Sequence, residues 1–401
     1  MFYIPRLVEA KIEHYITTSN KVLILLGARQ VGKTTLLTRI LERYHGTIFN
    51  LDIEVDKARL VVAKNLSPSE AIKSLGSPEV IAIDEAQRFP EISRIVKGWF
   101  DAGVSTKFIL SGSSSLNLLD QAAETLTGRN EKVFLTPLLF KELISTQSWF
   151  PSISSQLPKP PSDNPMREQV YSFMIQNLVY GSYPEAVTTE DKIQYLLNLS
   201  ADYLLKDIFQ SGTIKNPDFI KRLLLLLAHQ IGSEVSTSEL ASNLGVSRQT
   251  VEKYLDLLEQ TFVVFRLGAY STNLRKEVVK SKKIYFWDTG VRNAILKEFN
   301  VSEYRSDIGI LWKNWVIAEF AKYNALCGNT SDLYFWRSRD GAEVDLIIKS
   351  GEQLQAFEIK WSSRKTAGTN AFTSRYKVTP RIITRDNFLS FLFFPVPENA
   401  L

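Results

Sequence analysis

A single cysteine, Cys327, stands among 401 residues. That excludes an intrachain disulfide and a cysteine-built zinc site, and it suits a reducing compartment, so a cytoplasmic location is expected. Long apolar runs are lacking too. The longest, Leu223 to Ala228, falls far short of the roughly 20 residues that cross a bilayer and reads as a core helix, so no membrane partner is expected. The opening Met1-Phe2-Tyr3-Ile4-Pro5-Arg6 leads into charged residues rather than an apolar core, and is not expected to act as a signal peptide. Neither sign of charge dominates: 48 Lys and Arg against 43 Asp and Glu leave a net +5. That permits nucleic-acid contact without requiring it. A chain of this length exceeds what one core usually supports, which predicts two or three domains.

What is present begins with Gly27-Ala28-Arg29-Gln30-Val31-Gly32-Lys33-Thr34, which fits the phosphate-binding pattern G-x-x-x-x-G-K-[ST] at every position. It follows the apolar run Val22-Leu23-Ile24-Leu25-Leu26 and precedes Thr35-Leu36-Leu37, the strand, loop and helix context that the motif needs. Gly27 and Gly32 let the backbone curl so that successive N–H groups converge on an anion at a helix N-terminus. Lys33 then reaches the β- and γ-phosphates and Thr34 offers a hydroxyl to Mg²⁺. The expected ligand is a nucleoside triphosphate held by residues 27 to 35.

The second half of such a site lies at Glu79-Val80-Ile81-Ala82-Ile83, apolar on both faces like a buried parallel strand, followed by Asp84-Glu85-Ala86-Gln87. Asp84 is expected to support the Mg²⁺ water shell, and Glu85 to polarise the water that attacks the γ-phosphate. A third strand, Lys107-Phe108-Ile109-Leu110, ends in Ser111-Gly112-Ser113-Ser114-Ser115. Ser111 and Ser113 are candidates to sense the γ-phosphate; a flexible serine turn is the alternative.

The expected fold class is α/β: a P-loop NTPase parallel sheet with helices over residues 1–145, followed by a helical and winged-helix region and a second α/β domain. Residues 146–166 carry Pro151, Pro158, Pro160, Pro161 and Pro165 among many serines and read as a linker. Residues 167–230 are helical in period, as in Leu204-Leu205-Ile208. Within 231–290, a capping box from Ser236 to Glu239, a stop at Gly245, a restart at Ser247 and the strand Phe262 to Leu267 outline a winged helix-turn-helix. Its second helix sets Arg248 and Lys253 against Glu252, Asp256 and Glu259, a poor surface for phosphate, so structural or protein docking competes with DNA reading. The stretch Arg266, Arg275, Lys276, Lys280, Lys282 and Lys283, opposed by Glu277, is the better basic candidate, or else a solvated face.

Residues 291–401 return to α/β behaviour. Trp312, Trp315, Val316, Ala318 and Phe320 recur at helical spacing and are expected in a core. On the following strands, alternation places Glu343 and Asp345 on one face and Glu358 and Lys360 together on the next. Carboxylates and a lysine on adjacent strands are candidates to hold Mg²⁺ and activate water against a phosphodiester.

The motifs together resemble the bacterial and archaeal AAA-type ATPases of uncharacterised role that carry a carboxyl-terminal restriction-endonuclease-like, PD-(D/E)XK-like domain. Beyond the phosphate loop and Ile83 to Gln87, the resemblance rests on Leu110 to Ser114, Leu126-Thr127-Gly128-Arg129, Leu135 to Glu142, Tyr180 to Glu185, Lys206-Asp207-Ile208 and Tyr285 to Gly290. It implies ATP as the nucleotide and Arg129 as an arginine finger, in cis or across a subunit boundary, the latter requiring an oligomer. It further implies that Asp345, Glu358-Ile359-Lys360 and Glu319 correspond to the nuclease core, although this chain has Lys313-Asn314 where the family carries an acidic residue before the asparagine. The expected function is Mg²⁺-dependent ATP hydrolysis that drives conformational change, coupled to DNA or a protein partner. The alternatives are an ATP-regulated metal-dependent nuclease and a nucleotide-controlled DNA-binding regulator.

Overall fold

The computed structural model describes residues 3–113, 125–154, 166–203, 217–271, 282–362 and 369–392. Ser114 and Ser115, most of the proline-rich segment, Leu204 to Ile208, and Arg275 to Lys280 lie outside the described residues. The chain forms two units, Pro5–Thr136 and Pro137–Val396.

The first unit is built on five parallel strands: β1 Val22–Leu26, β2 Thr47–Asn50, β3 Val80–Asp84, β4 Lys107–Gly112 and β5 Asn130–Phe134, in the order β2-β3-β4-β1-β5. Every residue of β1 and β3 is buried, as expected of strands covered on both faces. The edges, β2 and β5, are the least apolar, with Glu131 and Lys132 on β5. β4 lies between β1 and β3, with Leu25 opposite Ser111 and Ile83 opposite Leu110. The carboxyl ends of three strands therefore converge.

The second unit contains helices Met166–Tyr180, Pro217–His229, Thr237–Leu244, Arg248–Gln260, Thr289–Leu296 and Ile308–Leu326 among others. Its strands β6 Glu234–Val235, β7 Val264–Ala269, β8 Lys282–Phe286, β9 Asp332–Arg337, β10 Glu343–Ser350, β11 Gln353–Ile359 and β12 Arg381–Ile383 form one sheet, ordered β12-β11-β10-β9-β7-β8-β6. β7 pairs in parallel with β9, so the sheet runs across the boundary expected at residue 290. Burial explains the continuity, because Phe265, Leu267 and Ala269 of β7 share a core with Leu346 and Phe357. Helix Ile308–Leu326 is the centre of that core, with Trp312 and Trp315 stacked at 5.3 Å. Local signals hold where expected: Ser236 and Ser247 cap their helices, and Gly245 stops the first at φ 68°.

Several motifs without chemistry of their own meet in one buried polar network in this unit. Asp288 Oδ2 accepts from Ser182 N at 2.7 Å and Ser182 Oγ at 3.0 Å. Lys322 Nζ donates to Ser182 Oγ, Leu138 O and Glu319 Oε1 at 2.8, 3.1 and 2.8 Å, and Phe140 N donates to Glu319 Oε2 at 2.8 Å. Gly181 has to be glycine here, since its φ is +70° and an added Cβ would lie 2.0 Å from Asp288 Oδ1.

Candidate functional site

The loop between β1 and helix Lys33–Leu41 is shaped by backbone constraints. Gly32 takes φ 94° as the helix N-cap, a left-handed conformation that glycine adopts without penalty. Gly27 is held for a different reason: a Cβ there would stand 2.2 Å from Leu135 O, just past β5. Ala28 and Val31 are buried, Arg29 and Gln30 half-buried, and Thr34 and Thr35 exposed at the start of the helix. Lys33 is 6% exposed and folds into the loop, donating to Gly27 O at 2.8 Å and Ala28 O at 2.9 Å. Its ammonium thus rests on carbonyls that are weaker acceptors than phosphate oxygens.

Thr34 Oγ1 donates to Asp84 Oδ2 at 2.5 Å, and Asp84 Oδ1 accepts from Glu85 N at 3.0 Å. Asp84 is 1% exposed, whereas Glu85 is half-buried beyond the strand end. Burial pushes the Glu85 carboxyl above its ordinary pKa; Lys33 and Arg29 pull it down, while Asp84 and Asp52 add to the rise. A raised carboxyl at the mouth of a phosphate loop is suited to accept a proton from water. At the end of β4, Ser111 and Ser113 are buried between the two motifs, and Ser111 Oγ has no hydrogen-bond partner among the described residues. The donor set of Thr34 hydroxyl and Asp84 carboxylate fits a hard dication.

Two residues of this region were missed by sequence reasoning. Buried Arg6 donates to Val31 O at 3.0 Å and Thr136 O at 2.7 Å, clasping the loop to the end of the unit. Gln87 donates from Nε2 to Glu85 Oε2 at 2.6 Å and Ser113 Oγ at 3.1 Å. Its place within Asp84-Glu85-Ala86-Gln87 was the available signal.

Arg129 sits elsewhere. Its carbonyl accepts from Val22 N at 2.7 Å, at the start of β1, and its Nε pairs with Asp101 Oδ1 at 2.7 Å. The loop starts after Leu26, four residues or about 13 Å further along the strand. Arg129 does not fit a finger acting in cis.

In the second unit, Asp345 and Glu358 are buried on adjacent strands, and each carboxylate has its own lysine. Asp345 Oδ1 pairs with Lys313 Nζ at 2.6 Å and its Oδ2 accepts from Ile359 N at 2.8 Å. Glu358 Oε2 pairs with Lys360 Nζ at 3.1 Å, and Glu343 with Lys283. Burial and Asp345 raise the Glu358 carboxyl against the pull of Lys360. Burial alone would lower Lys360, but Asp345 and Glu358 raise it. Glu319 does not join this cluster, because it is spent on Lys322 and Phe140 N. Both Asp345 oxygens are engaged, so this set does not fit a dication without displacing Lys313. On helix Arg248–Gln260, Asp256 and Glu259 are held by Arg266 of β7, Asp256 at 2.6 Å.

Comparison with known proteins places these observations. Residues 19–144 match the AAA domain family, and residues 173–302 and 308–387 match two domains of unknown function, DUF8612 and DUF4143. The uncharacterised proteins Mb2031c of Mycobacterium bovis and Rv2008c of Mycobacterium tuberculosis are each 30% identical over 348 residues, 85% of this chain and 70% of theirs. An uncharacterised protein of Haemophilus influenzae is 23% identical over 404 residues, covering 94% of this chain and 90% of its own. Among solved structures, the Walker-type ATPase paby2304 of Pyrococcus abyssi aligns with 73% of this chain and 96% of its own at TM-score 0.52 and 15% identity, a likeness of fold. No helix among the described residues is long and apolar enough to cross a membrane.

Proposed function

Because the chain belongs to the same family as the mycobacterial proteins Mb2031c and Rv2008c, and its residues 19–144 match the AAA domain, we propose that it binds and hydrolyses ATP with Mg²⁺. The observation that carries the reading is the hydrogen bond of Thr34 to Asp84, which brings the two halves of the motif pair together beside Glu85. Thr34 and Asp84 would hold Mg²⁺, which supplies charge neutralisation across the phosphate oxygens. The backbone N–H groups of residues 27 to 35 receive the phosphates and Lys33 exchanges its loop carbonyls for phosphate oxygens. Glu85 takes the proton of the attacking water, and Ser111 and Ser113 read the γ-phosphate. Arg129 enters this reading only as a finger offered to a second copy of the chain.

Turnover in this reading drives a conformational change coupled to a protein or to DNA. The segment Thr237–Leu244, Arg248–Gln260, β7 and β8 has a winged-helix outline, but two cations face three carboxylates on its second helix, which supports a protein partner over a phosphate backbone. The lysine on each carboxylate of the Asp345 cluster supports charge-paired packing over a metal-dependent nuclease. Steady-state ATP hydrolysis with and without duplex and single-stranded DNA tests the coupling. DNA-stimulated turnover would replace the protein partner with nucleic acid.

A further inference from the structure

Gln87 lies two residues beyond Glu85, in a 3-10 turn of Ala86–Arg88 that Glu85 enters in the left-handed region, φ 53° and ψ 40°. A non-glycine residue in that region is held there by its surroundings, and the turn it opens folds Gln87 back over the Glu85 carboxylate. The Gln87 amide nitrogen then serves two acceptors, Glu85 Oε2 at 2.6 Å and Ser113 Oγ at 3.1 Å. Reversing the amide would set its oxygen against the carboxylate, so the bonding pattern assigns which end faces Glu85. At the other end, Gln87 Oε1 is buried and accepts no hydrogen bond among the described residues, and Ser111 Oγ on β4, two residues before Ser113, is also buried and unpartnered among them. A buried acceptor without a donor is costly, and such groups are expected to receive a proton donor in the working state.

We infer that Gln87 is a second residue holding the attacking water, with its Oε1 accepting a hydrogen bond from one water O–H while the other O–H is directed at Glu85. The inference rests on the reading of Glu85 as general base. In the step, the water oxygen bonds to the γ-phosphorus, and the bond from phosphorus to the bridging oxygen breaks with its electron pair leaving on ADP. One water proton passes to Glu85 and from there to solvent. Gln87 neither gives nor takes a proton: it fixes the direction of attack, and through Ser113 it ties that direction to the strand end between the two motifs.

The test uses the full-length protein and two variants. Gln87→Met keeps the bulk and removes both donor and acceptor; Gln87→Glu keeps an acceptor but sets a second carboxylate against Glu85. For Gln87→Met the expected result is unchanged melting temperature, affinity for a fluorescent ATP analogue within about twofold of wild type, and kcat lowered roughly 10- to 100-fold. In Gln87→Glu kcat should also fall while affinity and melting temperature hold, because a carboxylate there no longer donates to Glu85 or Ser113. Wild-type kcat in Gln87→Met would overturn the inference, as would a rate loss matched by an equal loss of affinity or melting temperature, which marks a structural role. Glu85→Gln separates the two levels: if it hydrolyses ATP normally, the base assignment itself fails; if it is inactive while Gln87→Met is normal, only the role of Gln87 fails.

Discussion

The Thr34 hydroxyl donates to the Asp84 carboxylate at 2.5 Å across a sequence separation of 50 residues, so the two halves of the site are joined in the protein alone. If Mg²⁺ binding uses this pair, Thr34→Val should leave the fold intact and abolish the gain in nucleotide affinity that Mg²⁺ provides over EDTA. A titration of a fluorescent ATP analogue in both buffers checks it; an undiminished Mg²⁺ effect would remove Thr34 from the metal site.

Lys33 is held by two loop carbonyls that phosphate oxygens would replace. Lys33→Ala should weaken ATP binding by roughly 10- to 100-fold, the equivalent of about 1.5–3 kcal/mol for a charged hydrogen bond. Calorimetric titration reads the change directly.

Glu85 must be ionised to accept a proton, and burial raises its pKa in the folded protein. Activity is therefore expected to be full above that raised value and to fall as pH drops through it, at a pH above the ordinary carboxylate value of about 4.3. A pH profile of kcat/KM reports this free-enzyme group. An acid limb at or below the ordinary value would contradict the burial argument.

Lys322 and Glu319 form a fully buried pair. Lys322→Met should strand the Glu319 carboxylate and cost about 3–5 kcal/mol, whereas Lys322→Met with Glu319→Leu should recover much of it. Chemical denaturation of the two variants measures both. Equal losses would mean that the pair is not the source of the stabilisation.

The Asp345 cluster carries its own cations, so supercoiled plasmid incubated with Mg²⁺ or Mn²⁺ should remain intact. Nicking that disappears in Asp345→Ala and Lys360→Ala would restore the nuclease reading.

The parts legible in the sequence are those whose chemistry is local. Gly27 to Thr34, Asp84, Glu85, Ser111 and Ser113 each lie at or just past the end of a strand visible as an apolar run, and the caps Ser236, Ser247 and Gly245 act within a few residues. What the sequence did not reveal depends on distant partners: Arg6 on Thr136, 130 residues away, and Phe140 on Glu319, 179 away. Glu319 matched a nuclease pattern by type and position, yet the turn of its helix points it at Lys322. The pairing of β7 with β9 was hidden for the same reason, since only the shared core selects that neighbour. The motifs around Ser182 and Asp288 were visible as residue types, but their contribution is a buried network that spacing does not disclose.

Steady-state ATP hydrolysis by the purified protein beside Glu85→Gln is the most direct test of whether this site turns over ATP. The expected result is Mg²⁺-dependent turnover by the wild type, and a variant that still binds ATP while hydrolysis falls by roughly 100-fold or more. Unchanged turnover in Glu85→Gln would contradict the assignment of the base, and with it the proposed mechanism.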